Sequence, residues 1–267
     1  MTLRRPQWLA LGAALALLLT MYFGCPTQAP EMVRNAARRG LEVEATSPQA
    51  LMKAARAELT PLARATLAAL EEEYTITTED SSRLRVLERL ASEWYRADQP
   101  GLSGHYAQQI AELRDTVAEA WAIAGTTYSI CVRQRPAGKE KEFCTQRAVK
   151  AYQAAISLAP NVVEHQLNLA LTYTYNPPAD NPMMGILRLR ELQEKYPENT
   201  GVLLTLARLA IQTNQLDKAI ERLNQAVILE PNNPEPVCLL ATVQERKGDT
   251  TAATKSKARC QSLSNSR

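Results

Sequence analysis

Residues 200–233 read TGVLLTLARLAIQTNQLDKAIERLNQAVILEPNN. Leu203, Leu206 and Ala207 recur at the three-and-four spacing that places side chains on one face of a helix, and Ala210 follows on that face. Ala219, Leu223 and Ala226 repeat the pattern for a second helix. The alanines at 207, 219 and 226 let the two backbones approach closely. Pro231 ends the pattern, because a proline cannot continue a helix. The stretch is therefore two short amphipathic helices followed by a Pro-Asn-Asn turn. One such hairpin cannot bury its apolar face alone, so it requires stacked neighbours.

The same register continues on both sides without gaps. Upstream, 163–199 carries Asn168, Leu169, Ala170 and Tyr173, then Gly185, Leu189, Leu192 and Pro197. It holds three residues more than 34, in the loop from Tyr175 to Pro182, where prolines and asparagines force an extended connection. Before it, 118–162 carries Trp121, Ala124, Gly125 and Tyr128, then Ala148, Tyr152, Ala155 and Pro160. Its eleven extra residues fall roughly between Gln134 and Cys144 and are expected to form an inserted loop. Residues 84–117 fit more loosely, through Leu87, Leu90, Ala91, Trp94, Ser103, Ala107 and Ile110. The last unit, 234–263, carries Val237, Leu240, Ala241, Gly248 and Ala253. Lys257 falls where an apolar residue is expected, so its second helix should face water as a polar cap.

A unit of 34 residues with small and apolar residues at these offsets resembles the tetratricopeptide repeat (TPR). Trp121, Gly125 and Tyr128 lie close to its W-x2-L-G-x2-Y signature, with Ala124 in place of leucine. The resemblance spans 84–263, about two thirds of the chain. It implies an all-α, right-handed α-solenoid of about five helix-turn-helix units, at 84–117, 118–162, 163–199, 200–233 and 234–263. An N-terminal helical hairpin at 47–83 is expected to cover the first unit: Ser47 can cap, Pro48 opens a helix, and Leu51, Ala54 and Ala55 give it an apolar face. A second helix is expected from Pro61 to Tyr74, and a disordered tail at 264–267.

Residues 1–25 stand apart. Arg4 and Arg5 precede a nearly uncharged run from Trp8 to Gly24. Three readings remain open: a retained single-pass anchor, a lipoprotein signal ending at Cys25, and a cleaved signal peptide. Residues 26–46 would be a linker. The short leading basic segment favours repeats outside the cytoplasm, in the periplasm of a bacterial cell, although Arg34, Arg38 and Arg39 on the far side act against that orientation.

Five cysteines bear on the same question. Cys131 and Cys144 flank the expected insertion, so a disulfide there would staple it and contribute roughly 3 kcal/mol in an oxidising compartment. Two buried thiols are the alternative. Cys238 and Cys260 lie on the two helices of the last unit, but Cys238 occupies a groove-facing position, which argues against pairing.

The net charge is +3 and no basic stripe interleaves with aromatics, so nucleic acid is not an expected partner. The two histidines, His105 and His165, have no motif partners, and neither a P-loop nor a dinucleotide fingerprint occurs. No enzymatic activity, cofactor or metal is expected. The resemblance implies a groove lined by the first helix of each unit, at Glu88, Ser92, Ala122, Thr126, Leu167, Leu171, Leu204, Arg208 and Thr242. Leu167, Leu171 and Leu204 would give it an apolar middle suited to a protein or peptide partner; the alternative is that these leucines pack against neighbouring helices. Asn168 matches one position of the carboxylate clamp of TPR co-chaperones, but the clamp's lysines are missing. The resulting expectation is a membrane-anchored scaffold that binds without chemistry. An assembly chaperone of the cell envelope, as in cytochrome maturation, and a self-associating structural protein forming a homo-oligomer are the alternatives.

Overall fold

The computed structural model describes residues 47–265. Among them, twelve α-helices form successive antiparallel pairs. The pairs are α1 (Pro48–Glu58) with α2 (Pro61–Ile76), α3 (Asp80–Arg96) with α4 (Pro100–Leu113), and α5 (Ala118–Gln134) with α6 (Lys139–Leu158). They continue with α7 (Val163–Tyr175) and α8 (Met184–Lys195), α9 (Thr200–Gln212) and α10 (Leu216–Leu229), and α11 (Pro234–Lys247) and α12 (Thr250–Asn265). No described helix is long and apolar enough to cross a membrane. The expected anchor and linker lie outside the described residues.

Side-chain caps set the starts of α2, α3, α9 and α11. The Asn199 side chain accepts from the Val202 N–H at 2.9 Å, and Asn233 accepts from Glu235 N–H at 3.0 Å. Thr60 caps α2 ahead of Pro61. Glu79 accepts from the Ser81 and Ser82 N–H groups, so α3 begins at Asp80, four residues ahead of the 84–117 unit. The Ser81 and Ser82 side chains, with these N–H groups adding to them, lower the Glu79 carboxyl pKa to about 2.

Three of the hairpins share one turn. Asp98, Asn214 and Gly248 take left-handed backbone, with φ of 55°, 58° and 86°. In each, the next residue's N–H reaches back five positions: Gln99 to Trp94, Gln215 to Ala210 and Asp249 to Gln244. This is the Schellman closure, which favours Gly, Asn or Asp at the left-handed residue.

The core is a relay of overlapping apolar clusters, as expected when each hairpin packs mainly on its neighbours. Leu67, Leu70, Leu87, Leu90, Trp94 and Leu102 join α1–α2 to α3–α4. Alanines 107, 111, 120, 124 and 151 then bring α4, α5 and α6 together. Tyr128, Phe143, Tyr152 and Leu169 link α5–α6 to α7. Leu167, Leu189, Val202 and Leu206 link α7–α8 to α9, and Leu203, Leu223, Leu240 and Val243 link α9–α10 to α11.

Two expectations need correction. The eleven extra residues of 118–162 are not an inserted loop: α5 runs to Gln134 and α6 starts at Lys139. The extra residues become additional helical turns, since Lys139-Glu140-Lys141-Glu142 are good helix formers and Arg135 pairs with Glu140 at 3.0 Å across the short turn. The Cys131–Cys144 disulfide therefore staples the tips of two long helices. At the other end, α12 runs through Asn265, two residues into the expected tail. It buries only Ala253, in keeping with its expected polar face.

Candidate functional site

The expected groove residues divide into three groups. Leu167 and Leu204 are 8% and 6% exposed and belong to the core clusters between pairs. Ala122 is buried as well. Two of the three leucines of the expected apolar middle, Leu167 and Leu204, thus pack against neighbouring helices. Cys238 occupies the register of Leu204 one 34-residue step later and is likewise turned inward, bonded to Cys260 of α12. Cys238 therefore pairs with Cys260 rather than facing a groove.

The second group holds exposed residues already engaged. Arg208 forms an ion pair with Glu235, tying α9 to α11. The Thr242 hydroxyl donates to the Cys238 carbonyl at 3.2 Å. Glu88 and Ser92 line an open depression of about 510 Å³ between α2 and α3, beside Arg85, Arg89, Glu93 and Arg96. There Arg89 pairs with Glu73 at 2.7 Å and Arg96 with Glu93. Most of its charge is therefore satisfied within the protein.

The third group forms a defined cleft. Thr126 from α5 and Leu171 from α7 face a space of about 100 Å³, together with Ser129, Val132, Arg133, Tyr152, Asn168, Thr172 and Tyr175. Thr126, Ser129 and Arg133 stand three and four residues apart, so they form one stripe along α5. Asn168, Leu171, Thr172 and Tyr175 form the facing stripe on α7. Tyr152 rises from α6 between them. Its ring fits because residue 125 is glycine, where a Cβ would lie 2.8 Å from ring carbons.

The polar groups of the floor are pre-set. The Tyr152 hydroxyl donates to Thr126 Oγ1 at 3.2 Å and accepts from Ser129 Oγ at 3.4 Å. Ser129 Oγ also meets Thr172 Oγ1 at 3.1 Å, while the Thr172 hydroxyl donates to the Asn168 carbonyl at 2.9 Å. Burial pushes the Tyr152 phenol up, so it stays protonated and acts as a hydrogen-bonding group. Among the described residues the Asn168 carboxamide and the Arg133 guanidinium make no hydrogen bond or ion pair of their own. They leave donors open at the rim of a half-apolar cleft.

Ser129, Arg133, Tyr152, Thr172 and Tyr175 were not among the expected groove residues. Ser129 and Arg133 continue the Ala122–Thr126 spacing and were legible from it. Tyr152 was not, because it comes from a second helix and reaches this face only over a glycine. Elsewhere, His105 Nε2 lies 3.0 Å from Gln109 Nε2, and burial, with Arg147 adding to it, lowers its pKa to about 4. His165 is buried in α7. No group of three metal-ligating side chains occurs among the described residues.

Residues 186–242 match the tetratricopeptide repeat family. The TPR match runs from α8 into α11. No curated protein sequence matches the chain significantly. Among solved structures, MamA (residues 41 to the end) from Desulfovibrio magneticus RS-1 aligns with 17% identity over 69% of this chain and 96% of its own, with a TM-score of 0.43. YrrB, described as a TPR protein with an unusual peptide-binding site, aligns with 12% identity over 67% of this chain and 84% of its own, with a TM-score of 0.38.

Proposed function

We propose that this protein is a TPR scaffold, held at a membrane by residues 1–25, that grips an extended segment of a partner protein on its first-helix face and performs no chemistry itself. The observation that carries this reading is the α5–α7 cleft. Its hydroxyls are already oriented by Tyr152, and its rim offers the donors of Asn168 and Arg133 beside Leu171 and Tyr175. Such a surface requires little ordering on binding, because the helices that carry it are held by the core beneath. One side chain of a bound segment would fill the cleft, and its backbone would meet Asn168 and Arg133. The repeats would lie outside the cytoplasm; two disulfides suit an oxidising compartment.

The test is capture from native membranes with tagged full-length chain, beside a Thr126→Arg/Leu171→Glu variant. Both substitutions lie on helix faces open to the cleft, so the variant should keep its helical circular dichroism. A partner held by the parent and lost by the variant supports the reading. Equal capture by both would remove the α5–α7 cleft as the binding surface. Alkaline extraction of the same membranes checks the anchor: release of the full-length chain into the soluble fraction contradicts it.

A further inference from the structure

The two disulfides differ in what surrounds them. Cys131 and Cys144 are fully buried, among Tyr128, Val132 and Phe143. Gly101 of α4 closes over them: a Cβ there would lie 3.0 Å from the Cys144 sulfur and 3.4 Å from that of Cys131. Cys238 and Cys260 are only half-buried, in the last described helix pair. Thiol–disulfide exchange needs a thiolate to reach a sulfur directly. The first pair offers no such path without moving α4; the second does.

The second pair also holds a helix with little fully buried apolar surface. One 34-residue step relates Ala219, Leu223 and Ala226 of α10 to Ala253, Lys257 and Cys260 of α12. All three α10 residues are fully buried. On α12 only Ala253 is buried, and Lys257 is exposed where Leu223 anchors the preceding pair. Hydrogen bonds from α12 include a half-buried one from Ser256 to Gln244 at 2.8 Å and two exposed ones, Lys257 to Glu245 at 2.7 Å and Arg259 to the Pro231 carbonyl at 2.9 Å. The exposed Lys257–Glu245 ion pair contributes little. The covalent bond stands at the register position of Ala226, where apolar burial is missing.

We propose that Cys238–Cys260 is a thiol–disulfide exchange site, that its substrate class is a dithiol such as the vicinal thiols of an oxidoreductase, and that reduction releases α12 while Cys131–Cys144 stays closed. One thiolate of the dithiol attacks a sulfur of the pair, forming a mixed disulfide and expelling the other cysteine as a thiolate. The second thiol of the dithiol then displaces the remaining cysteine. The protein gains two electrons and two protons, and the dithiol becomes a disulfide. Release of α12 uncovers Val237 and Ala241 of α11, which match Leu203 and Ala207 under α10.

The experiment uses the full-length chain in detergent, treated with graded dithiothreitol as the dithiol, quenched with iodoacetamide and mapped by peptide mass, with limited trypsin digestion in parallel. Cys238 and Cys260 should become alkylated at least about tenfold faster than Cys131 and Cys144, which must await opening of the fold. Trypsin cleavage at Lys255, Lys257 and Arg259 should rise about tenfold on reduction, and a Cys238→Ser/Cys260→Ser variant should show that faster cleavage without reductant. Equal alkylation of all four cysteines overturns the exchange site. Cleavage unchanged by reduction, or a variant as resistant as the oxidised parent, overturns the release of α12.

Discussion

Replacing Asn214 with valine isolates the one backbone feature that three hairpins share. Asn214 sits at φ 58° between α9 and α10, with its side chain in solvent. Around it the Gln215 N–H reaches the Ala210 carbonyl at 2.7 Å and the Asn214 N–H reaches Ile211 at 3.2 Å. Valine would have to hold the left-handed conformation against its own β-branch, a cost of about 1–2 kcal/mol. For a domain of this size that lowers Tm by roughly 2–8 °C. Asn214→Gly removes the Cβ conflict but adds freedom to the unfolded chain, so it should stay within about 0.5 kcal/mol of the parent. Thermal unfolding followed by circular dichroism reads both variants. Hydrogen exchange should place the valine effect in α9 and α10, since each pair depends mainly on its neighbours. If the valine and glycine variants melt together, the turn tolerates either residue and the shared closure does not matter for stability.

Four further predictions follow from contacts in the structure. Gly104→Ala places a Cβ 2.6 Å from the Tyr128 ring, so it should destabilise by about 1–3 kcal/mol in denaturant titration. Leu167→Glu/Leu204→Glu puts two carboxylates into the core rather than into a groove, so it should abolish cooperative unfolding, whereas Thr126→Arg/Leu171→Glu should melt near the parent. His105 is held neutral by burial at a pKa of about 4 against an ordinary 6.5. The unfolded chain therefore binds the extra proton between those values, and the parent should lose about 3 kcal/mol relative to His105→Gln as pH falls from 6.5 to 4, read by paired denaturant titrations. Reduction of the isolated chain under conditions that open only Cys238–Cys260 should leave the α5–α6 tips protected from exchange, because Gly101 still covers Cys131 and Cys144.

The helical array was legible because its evidence is periodic. Leu203, Leu206, Ala207, Ala219 and Leu223 repeat at spacings that only helices satisfy, and their 34-residue recurrence requires stacking. What escaped depended on direction or on reach. The register marks 167 and 204 as groove positions, but whether such a side chain turns outward depends on how closely the next pair approaches. Here Val202 and Leu206 stand beside Leu167, and Leu240 and Val243 beside Leu204, so both leucines are covered. The α5–α7 cleft depends on Tyr152 crossing over Gly125, a meeting of residues 27 positions apart that no local pattern encodes. The left-handed turn was within reach: Asp98, Asn214 and Gly248 occupy one repeat position and are the residue types such a turn selects.

The lengthened second repeat explains why the cleft is found where it is. In the 34-residue unit at 200–233 the first helix spans 13 residues, against 17 in α5. The added turn of α5 carries Val132, Arg133 and Gln134, and it is this turn that brings Arg133 alongside Tyr175 at the end of α7. Two long helices joined by a four-residue turn would fray at their tips. Cys131–Cys144 and the contacts of Arg135 with Glu140 and Asp98 hold them closed. Shortening this unit to the length of its neighbours should therefore leave the apolar relay intact through Ala120, Ala124, Ala151 and Tyr128, yet remove the Arg133 rim of the cleft. A deletion of residues 132–142 that retains cooperative unfolding but loses the partner captured by the parent would tie binding to the extra turns. Retained capture would show that the shorter stripe of Thr126, Ser129 and Leu171 is enough, and would refute the assignment of Arg133 to the site.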